Sequence, residues 1–191
     1  SLSLPDIPDP GMMRVVKGCL ALPHVVFTGE HPHYGARDYG ADVHDTFPPA
    51  WIAVVETAFQ YGEHDWVKKL VDYWFTYCVN DDGTIRYWQR DVHPAASASE
   101  YGMIYRLIEK LDRAYGNGWN IQHHFAKLEA SVHYLHSLRR PVLPGGYRLI
   151  HLGAEADNAE LRQAYFSNNL WAARGLESLS QLFERYHRPG T

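Results

Sequence analysis

Six stretches of this chain carry apolar residues at helical spacing, and two kinds of connection alternate between them. That alternation constrains the fold more than any short motif. The stretches are "MMRVVKGCLALPHVVF", "PPAWIAVVETAFQYG", "EHDWVKKLVDYWFTYCV", "SASEYGMIYRLIEKLDRAYG", "NIQHHFAKLEASVHYLHSLRR" and "AYFSNNLWAARGLESLSQLFERY". In the fifth, residues 121, 125, 128, 132 and 135 are apolar, the rhythm of a helix with one buried face. Tight connections occur at "QYGEHD" and "YGNGW", and long ones at 28 to 46, 80 to 98 and 141 to 162. Helices joined in this way stack as antiparallel hairpins, with tight turns at one end and long loops at the other. The expected fold is all-α, a single helical domain over 1–191 with about six helices and no sheet. Residues 1–10 read as an extended arm and 186–191 as a polar tail.

Local signals agree with this reading. Pro48 and Pro49 open the second helix, Asp45 or Thr46 is placed to cap it, and Gly62 stops it. Ser97 or Ser99 caps the fourth, and Gly116 ends it. The first stretch reads as a mostly buried helix interrupted near Pro23. Cys19 and Cys78 sit in apolar helical patterns, which favours two buried free thiols over a disulfide. Asp81, Asp82 and Gly83 read as a turn.

A length of 191 residues is enough for one domain with a real core. The net charge of −4 and the lack of a basic stripe argue against a nucleic-acid partner bound by bulk charge. No apolar run approaches the roughly 20 residues of a membrane span, and no charged-then-apolar leader opens the chain. No membrane partner is expected, and location stays open. The first residue is serine, which suggests that the true N-terminus has been removed.

Aromatic residues make up 14% of the chain, including 6 Trp and 13 Tyr, more flat amphipathic rings than a core of this size needs. The long loops hold the groups of chemical interest. The first loop holds His33, Tyr34, Arg37, Asp38, Asp42 and Asp45. The second holds Arg86, Tyr87, Trp88, Arg90, Asp91, His93 and Glu100, and the third Tyr147, Arg148, His151, Glu155, Asp157 and Asn158. Carboxylates among rings and arginines suit carbohydrate, because rings stack on sugar faces and charged groups bond hydroxyls. The sugar-binding candidates are Tyr34, Arg37, Asp38, Asp42, Trp88, Arg90 and Tyr147.

Plainer roles compete for several of these groups. Arg37 and Asp38 fit a structural ion pair, Asp45 a helix cap, and Glu100 the favourable N-terminal turn of a helix. His123 and His124 are adjacent and point to different helix faces. His133 and His136 have metal-ligand spacing but no matching carboxylates, so no metal is expected. Gly-x-Ser-x-Gly and phosphate-loop motifs are absent, and no cofactor is expected.

Three segments carry a family resemblance: "HYGARDYGADVHDTF", "VDYWFTYCVNDDGTIRYWQRD" and "GYRLIHLGAEADNAELRQAYFSNNLWAARGLESL". Their order resembles the six-hairpin glycosidases, the (α/α)6-toroid superfamily with its glucoamylase-like and amylo-alpha-1,6-glucosidase-like members. The resemblance runs from about residue 11 to 185. It implies that Arg37 and Asp38 hold the nonreducing sugar, that Glu155 is the general acid, and that Asp157 is the second candidate for that role. Hydrolysis would need Glu155 protonated near neutral pH, and burial among Tyr147, Leu152 and nearby rings would raise its pKa. The family's toroid has twelve helices and keeps its catalytic base in the later half. This chain resembles the N-terminal half, so it is expected to pair with a second half or another chain, possibly another copy.

Two other readings use the same residues. A polysaccharide lyase on a helical toroid would draw on Tyr101, His93, Asn168 and Arg90, and its unsaturated product would absorb in the near ultraviolet. A carbohydrate-binding or scaffold module would bind ligand without regard to Glu155 and Asp157, and would cleave nothing.

Overall fold

The computed structural model of the protein describes residues 8–28, 31–32, 47–86, 97–142, 145–153 and 161–186. They are mostly helical, in six α-helices: α1 (Pro10–Val26), α2 (Pro48–Gln60), α3 (His64–Tyr77), α4 (Ala98–Tyr115), α5 (Phe125–Ser137) and α6 (Phe166–Arg185). Two short 3-10 turns, Gly116–Gly118 and Ile121–His124, link α4 to α5. No helix among the described residues is long and apolar enough to cross a membrane.

Helix boundaries follow from local chemistry. The N-cap of α2 is Phe47, with no side-chain cap bond. Prolines in its first positions lack the N–H groups that a cap would satisfy. Asp45 and Thr46, the expected caps, lie outside the described residues. Beyond α2 the chain turns at Gly62, whose φ of 80° suits glycine. At α4, Ser97 and Glu100 form a reciprocal capping box, and Gly116 at φ 51° ends the helix as expected.

Contacts along the helices fix their directions. Lys110 on α4 meets Glu56 on α2 at 2.9 Å, and Tyr115 packs edge-on to Phe59, so α2 and α4 run parallel. Gly102 on α4 lies against Trp171 on α6, and further along Arg185 meets Asp112 at 2.9 Å, so α4 and α6 also run parallel. In contrast, α5 runs antiparallel to α4: Tyr101 pairs with Tyr134, and the Tyr105 hydroxyl lies 2.7 Å from Ser131 Oγ. The rings of Trp51 and Trp74, and of Phe59 and His64, place α3 antiparallel to α2. The result is a row of three parallel helices, α2, α4 and α6, with α3 and α5 running the opposite way beside them.

The interface between α4 and α6 is the most extensive one between helices among the described residues. Two glycines make it possible. A Cβ on Gly102 would strike the Trp171 carbonyl, and one on Gly175 would strike the backbone of Gly102. The far ends of the same helices are joined by Arg185, which also meets Glu109 at 3.0 Å. Tyr186 donates its hydroxyl to Asp112 at 2.7 Å, and burial followed by this bond pushes its pKa up to about 12. The core includes Trp74, Tyr101, Tyr105, Phe75, Phe125 and Phe183, all nearly free of solvent. Ile121, Phe125, Leu128, Val132 and Leu135 are all buried, as their spacing predicts.

His124 ties α5 to α3. Its ring stacks on Phe75 at 4.3 Å and its Nε2 lies 2.7 Å from Asp72 Oδ1. Burial lowers its pKa from the usual 6.5, and Asp72 opposes the shift only in part. A folded value below the unfolded one means that the unfolded chain takes up the proton first as pH falls. The contribution is complete above the unfolded value and is lost as pH drops through the folded one. Urea melts should therefore show the stability gap between wild type and His124→Gln shrinking from about pH 7.5 to about pH 5.5. A gap that stays constant over that window would contradict this account.

Three expectations need correction. Helix α1 is largely exposed, not mostly buried, with Met12, Val15 and Leu22 each more than half exposed, and Cys19 is exposed while Cys78 is buried. It lies at the edge of the array, where only one face has a partner. It also continues through Pro23 to Val26; only three residues follow the proline, so the disruption falls in the last turn. Finally, short strands exist where none was expected. Phe27–Thr28 (β1) pairs with His31–Pro32 (β2), and Arg139–Pro141 (β3) pairs with Arg148–Ile150 (β4), both antiparallel.

Candidate functional site

The C-termini of α3 and α5 and the N-termini of α2, α4 and α6 share one end, so the chain leaves α3 and α5 and enters α4 and α6 at that end. The connection before α2 departs from expectation. His24, near the end of α1, stacks on Trp66 in the first turn of α3 at 4.2 Å. That contact is at the tight-turn end, so α1 ends there, whereas α2 starts at the long-loop end.

Of the residues expected at the site, Tyr34, Arg37, Asp38, Asp42, Trp88, Arg90, Glu155 and Asp157 lie outside the described residues. Tyr147 is described. It follows Gly145 and Gly146, both at positive φ, in the β3–β4 hairpin and is 68% exposed. Its ring is therefore not part of a buried surround for a carboxyl group, although an exposed ring suits stacking on a sugar. Leu152 is buried.

The structure does describe how the loops are anchored. After α3 the chain closes a tight turn, with Val79 bridged to Ile85. Asp82 accepts bonds from the Thr84 backbone N–H and hydroxyl, and these hold its carboxyl below the usual range. Gly83, at φ 82°, packs against the α5 backbone at Ala130 and Ser131. The Tyr101 hydroxyl accepts from the Ile85 N–H at 3.0 Å and donates to the Gly83 carbonyl at 3.2 Å. Tyr101 thus fastens this turn to α4. Burial drives its pKa well above the usual tyrosine value, opposite to what a proton-abstracting tyrosine needs. Tyr101→Phe should cost about 1–3 kcal/mol, because the Ile85 N–H loses a buried partner. A lowered urea midpoint together with faster exchange of the Ile85 amide would show this; unchanged exchange would remove Tyr101 as the anchor.

The third connection is anchored by two asparagines in the first turn of α6. Asn169 accepts from the Ile150 N–H at 2.8 Å and donates to the Ile150 carbonyl at 3.1 Å. Asn168 donates to the Gly153 carbonyl at 2.8 Å, and Leu152 bridges to Gln163. The described flanks of this connection, Ile150 to Gly153 and Gln163, are thus fastened by backbone pairing and by side chains of α6; Glu155 and Asp157 lie outside the described residues.

Among the described residues, five buried polar side-chain atoms have no hydrogen-bond partner, and four of them sit at this end. They are Trp51 Nε1 in the first turn of α2, Trp74 Nε1 in the last turn of α3, His151 Nε2 and Asn168 Oδ1; Trp119 Nε1 is the exception. Trp51 and Trp74 stack at 5.0 Å. A buried donor or acceptor without a partner costs about 1–3 kcal/mol, so unsatisfied groups concentrated at one end favour a polar ligand there. Of the carboxylates described nearby, Asp82 is committed to its turn and Glu100 to the α4 cap. No group of three or more metal-ligating side chains occurs among the described residues.

Sequence reading overlooked Trp51, Trp74, Asn169 and the anchoring role of Tyr101. The visible signal was "SNNLW", two amides at the start of an apolar helical pattern, where polar side chains need a structural reason. Compared with family models, curated proteins and solved structures, the chain matches none.

Proposed function

We propose that this chain is part of a carbohydrate-active enzyme that cleaves glycosidic bonds by general acid/base hydrolysis, with the sugar bound at the long-loop end. The observation that carries the proposal is the helix arrangement. Parallel α2, α4 and α6 beside antiparallel α3 and α5 put at one end the helix termini that flank 80–97 and 138–165, whose sequences are aromatic, arginine-rich and acidic. The same end holds the unsatisfied indole N–H groups and the Asn168 carbonyl, which are suitable partners for sugar hydroxyls. The alternation from α2 to α6 is compatible with hairpins of an (α/α)6 toroid, whereas α1, which ends beside Trp66 at the tight-turn end, departs from that pattern.

In this reading Glu155 is the general acid and Asp157 the second candidate. Tyr34, Arg37, Asp38, Asp42, Trp88, Arg90 and Tyr147 bind the sugar. Hydrolysis needs a second carboxylate on the opposite face of the scissile bond, and that base comes from a second set of helices. The lyase reading loses ground, since Tyr101 is locked in the core with a raised pKa.

The test is product analysis with a panel of glycosides and oligosaccharides. New reducing ends without near-ultraviolet absorbance support hydrolysis. An absorbing unsaturated product would replace the proposal with a lyase. Binding without cleavage in the full-length protein would reduce it to a sugar-binding module.

A further inference from the structure

Beside α6, on the side away from α4, lies an open apolar groove of about 420 Å³. Its floor is Val132 and Leu135 from α5 with Leu176, Leu179 and Phe183 from α6, and Ala173 is exposed along it. The apolar surface continues toward the N-terminus of α6, where Phe166 is 82% and Leu170 49% exposed. An exposed stripe that runs along a helix into a groove marks a docking surface.

The fold itself indicates what fits there. The groove between α3 and α4 is one hairpin earlier in the array, and α5 fills it. Lys127 of α5 donates to the Phe75 and Val79 carbonyls at the end of α3, and Ser131 meets Tyr105 of α4. Moving one hairpin along leads from the α3–α4 groove to the α5–α6 groove, which holds no helix among the described residues. The occupant that repeats the packing is a helix parallel to α5.

Charge narrows the choice. His136, Arg139 and Arg148 line the groove at the end where α5 stops. Arg148 donates to the Arg139 carbonyl at 3.0 Å, and among the described residues none of the three pairs with a carboxylate. A helix parallel to α5 brings its C-terminal, partially negative end to Arg139 and Arg148. We infer that the α5–α6 groove docks an amphipathic helix of a partner polypeptide, parallel to α5, with an apolar stripe and carboxylates in its last turn. This rests on the proposed reading in one respect, the need for a second set of helices.

The probe is a stapled peptide built on the α5 sequence "FAKLEASVHYLHS", with its final His and Ser replaced by glutamates or, in a second peptide, by lysines. The glutamate peptide should bind the full chain at least ten-fold more tightly than the lysine peptide. That preference should vanish in the Arg139→Ala/Arg148→Ala double variant. Ala173→Glu, an exposed change in the groove, should remove binding of both peptides while leaving the circular dichroism unchanged. Equal binding of the two peptides, no binding of either, or indifference to Ala173→Glu would overturn the inference. So would a chain that sediments alone as a dimer and becomes monomeric in Ala173→Glu, because the occupant would then be a second copy. None of these readouts uses a sugar, so peptide binding together with no glycoside cleavage by the full-length protein would sink the proposed function and leave the groove assignment standing.

Discussion

Glu155→Gln should lower turnover of unactivated glycosides by about 10²–10⁴-fold, the usual contribution of a general acid, and leave sugar affinity unchanged. Glutamine keeps the shape and one acceptor of a carboxylic acid but cannot give up a proton to the leaving oxygen. The leaving group supplies a diagnostic. An aryl glycoside whose phenol is already acidic needs little protonation, so the variant should retain most of its activity on that substrate. Loss on alkyl glycosides with retention on activated aryl glycosides identifies Glu155 as the acid. Equal loss on both would point to a structural or nucleophilic role. Full activity on both would remove Glu155 and transfer the question to Asp157→Asn.

Gly175→Ala should be strongly destabilising, as should any methyl group added between α4 and α6. Its Cβ would meet the Cα, carbonyl carbon and carbonyl oxygen of Gly102, and those backbone atoms cannot rotate away. Relief requires α4 and α6 to separate along the most extensive helix interface among the described residues. Overpacking of this kind costs about 3 kcal/mol or more, which for a chain of this size lowers Tm by on the order of 10 °C. Gly18→Ala on α1 is the control. Nothing lies within 4 Å of a Cβ there, so alanine should be neutral or slightly stabilising. Urea unfolding of the two variants separates the cases. A Gly175→Ala midpoint equal to that of Gly18→Ala would mean that the two helices do not approach as closely as described.

Those glycines also show what sequence could and could not reveal. Ile121, Phe125, Leu128, Val132 and Leu135 announce a buried helix face by spacing alone, and all five are buried. Ser97, Glu100 and Gly116 announce the ends of α4 through their capping chemistry. Periodicity carries no information about Gly102 and Gly175, because a missing side chain adds nothing to an apolar pattern. Their signal is energetic: glycine within a helix costs about 1 kcal/mol relative to alanine, which implies a packing reason. Helix α1 misled in the opposite direction. Its apolar residues suggest burial, yet at the edge of the array only one side finds a partner. The hairpin around Gly145 and Gly146 was legible in principle, since a Gly-Gly turn followed by "YRLI" has the turn chemistry and alternation of a strand pair. As for the candidate site, the loops were recognisable by composition, whereas the anchors Tyr101, Asn168 and Asn169 depend on tertiary contacts between residues 15 to 19 positions apart.

The most direct test of the central claim, a sugar site at the long-loop end, is a titration of the ¹⁵N-labelled protein with glycosides followed by two-dimensional NMR. The account predicts that the indole N–H signals of Trp51 and Trp74, the side-chain amide of Asn168 and the Gly153 amide shift together. The Trp119 indole at the opposite end should stay fixed. Shifts confined to Trp119, or to the α5–α6 groove, or absent from every signal at saturating sugar, would contradict it.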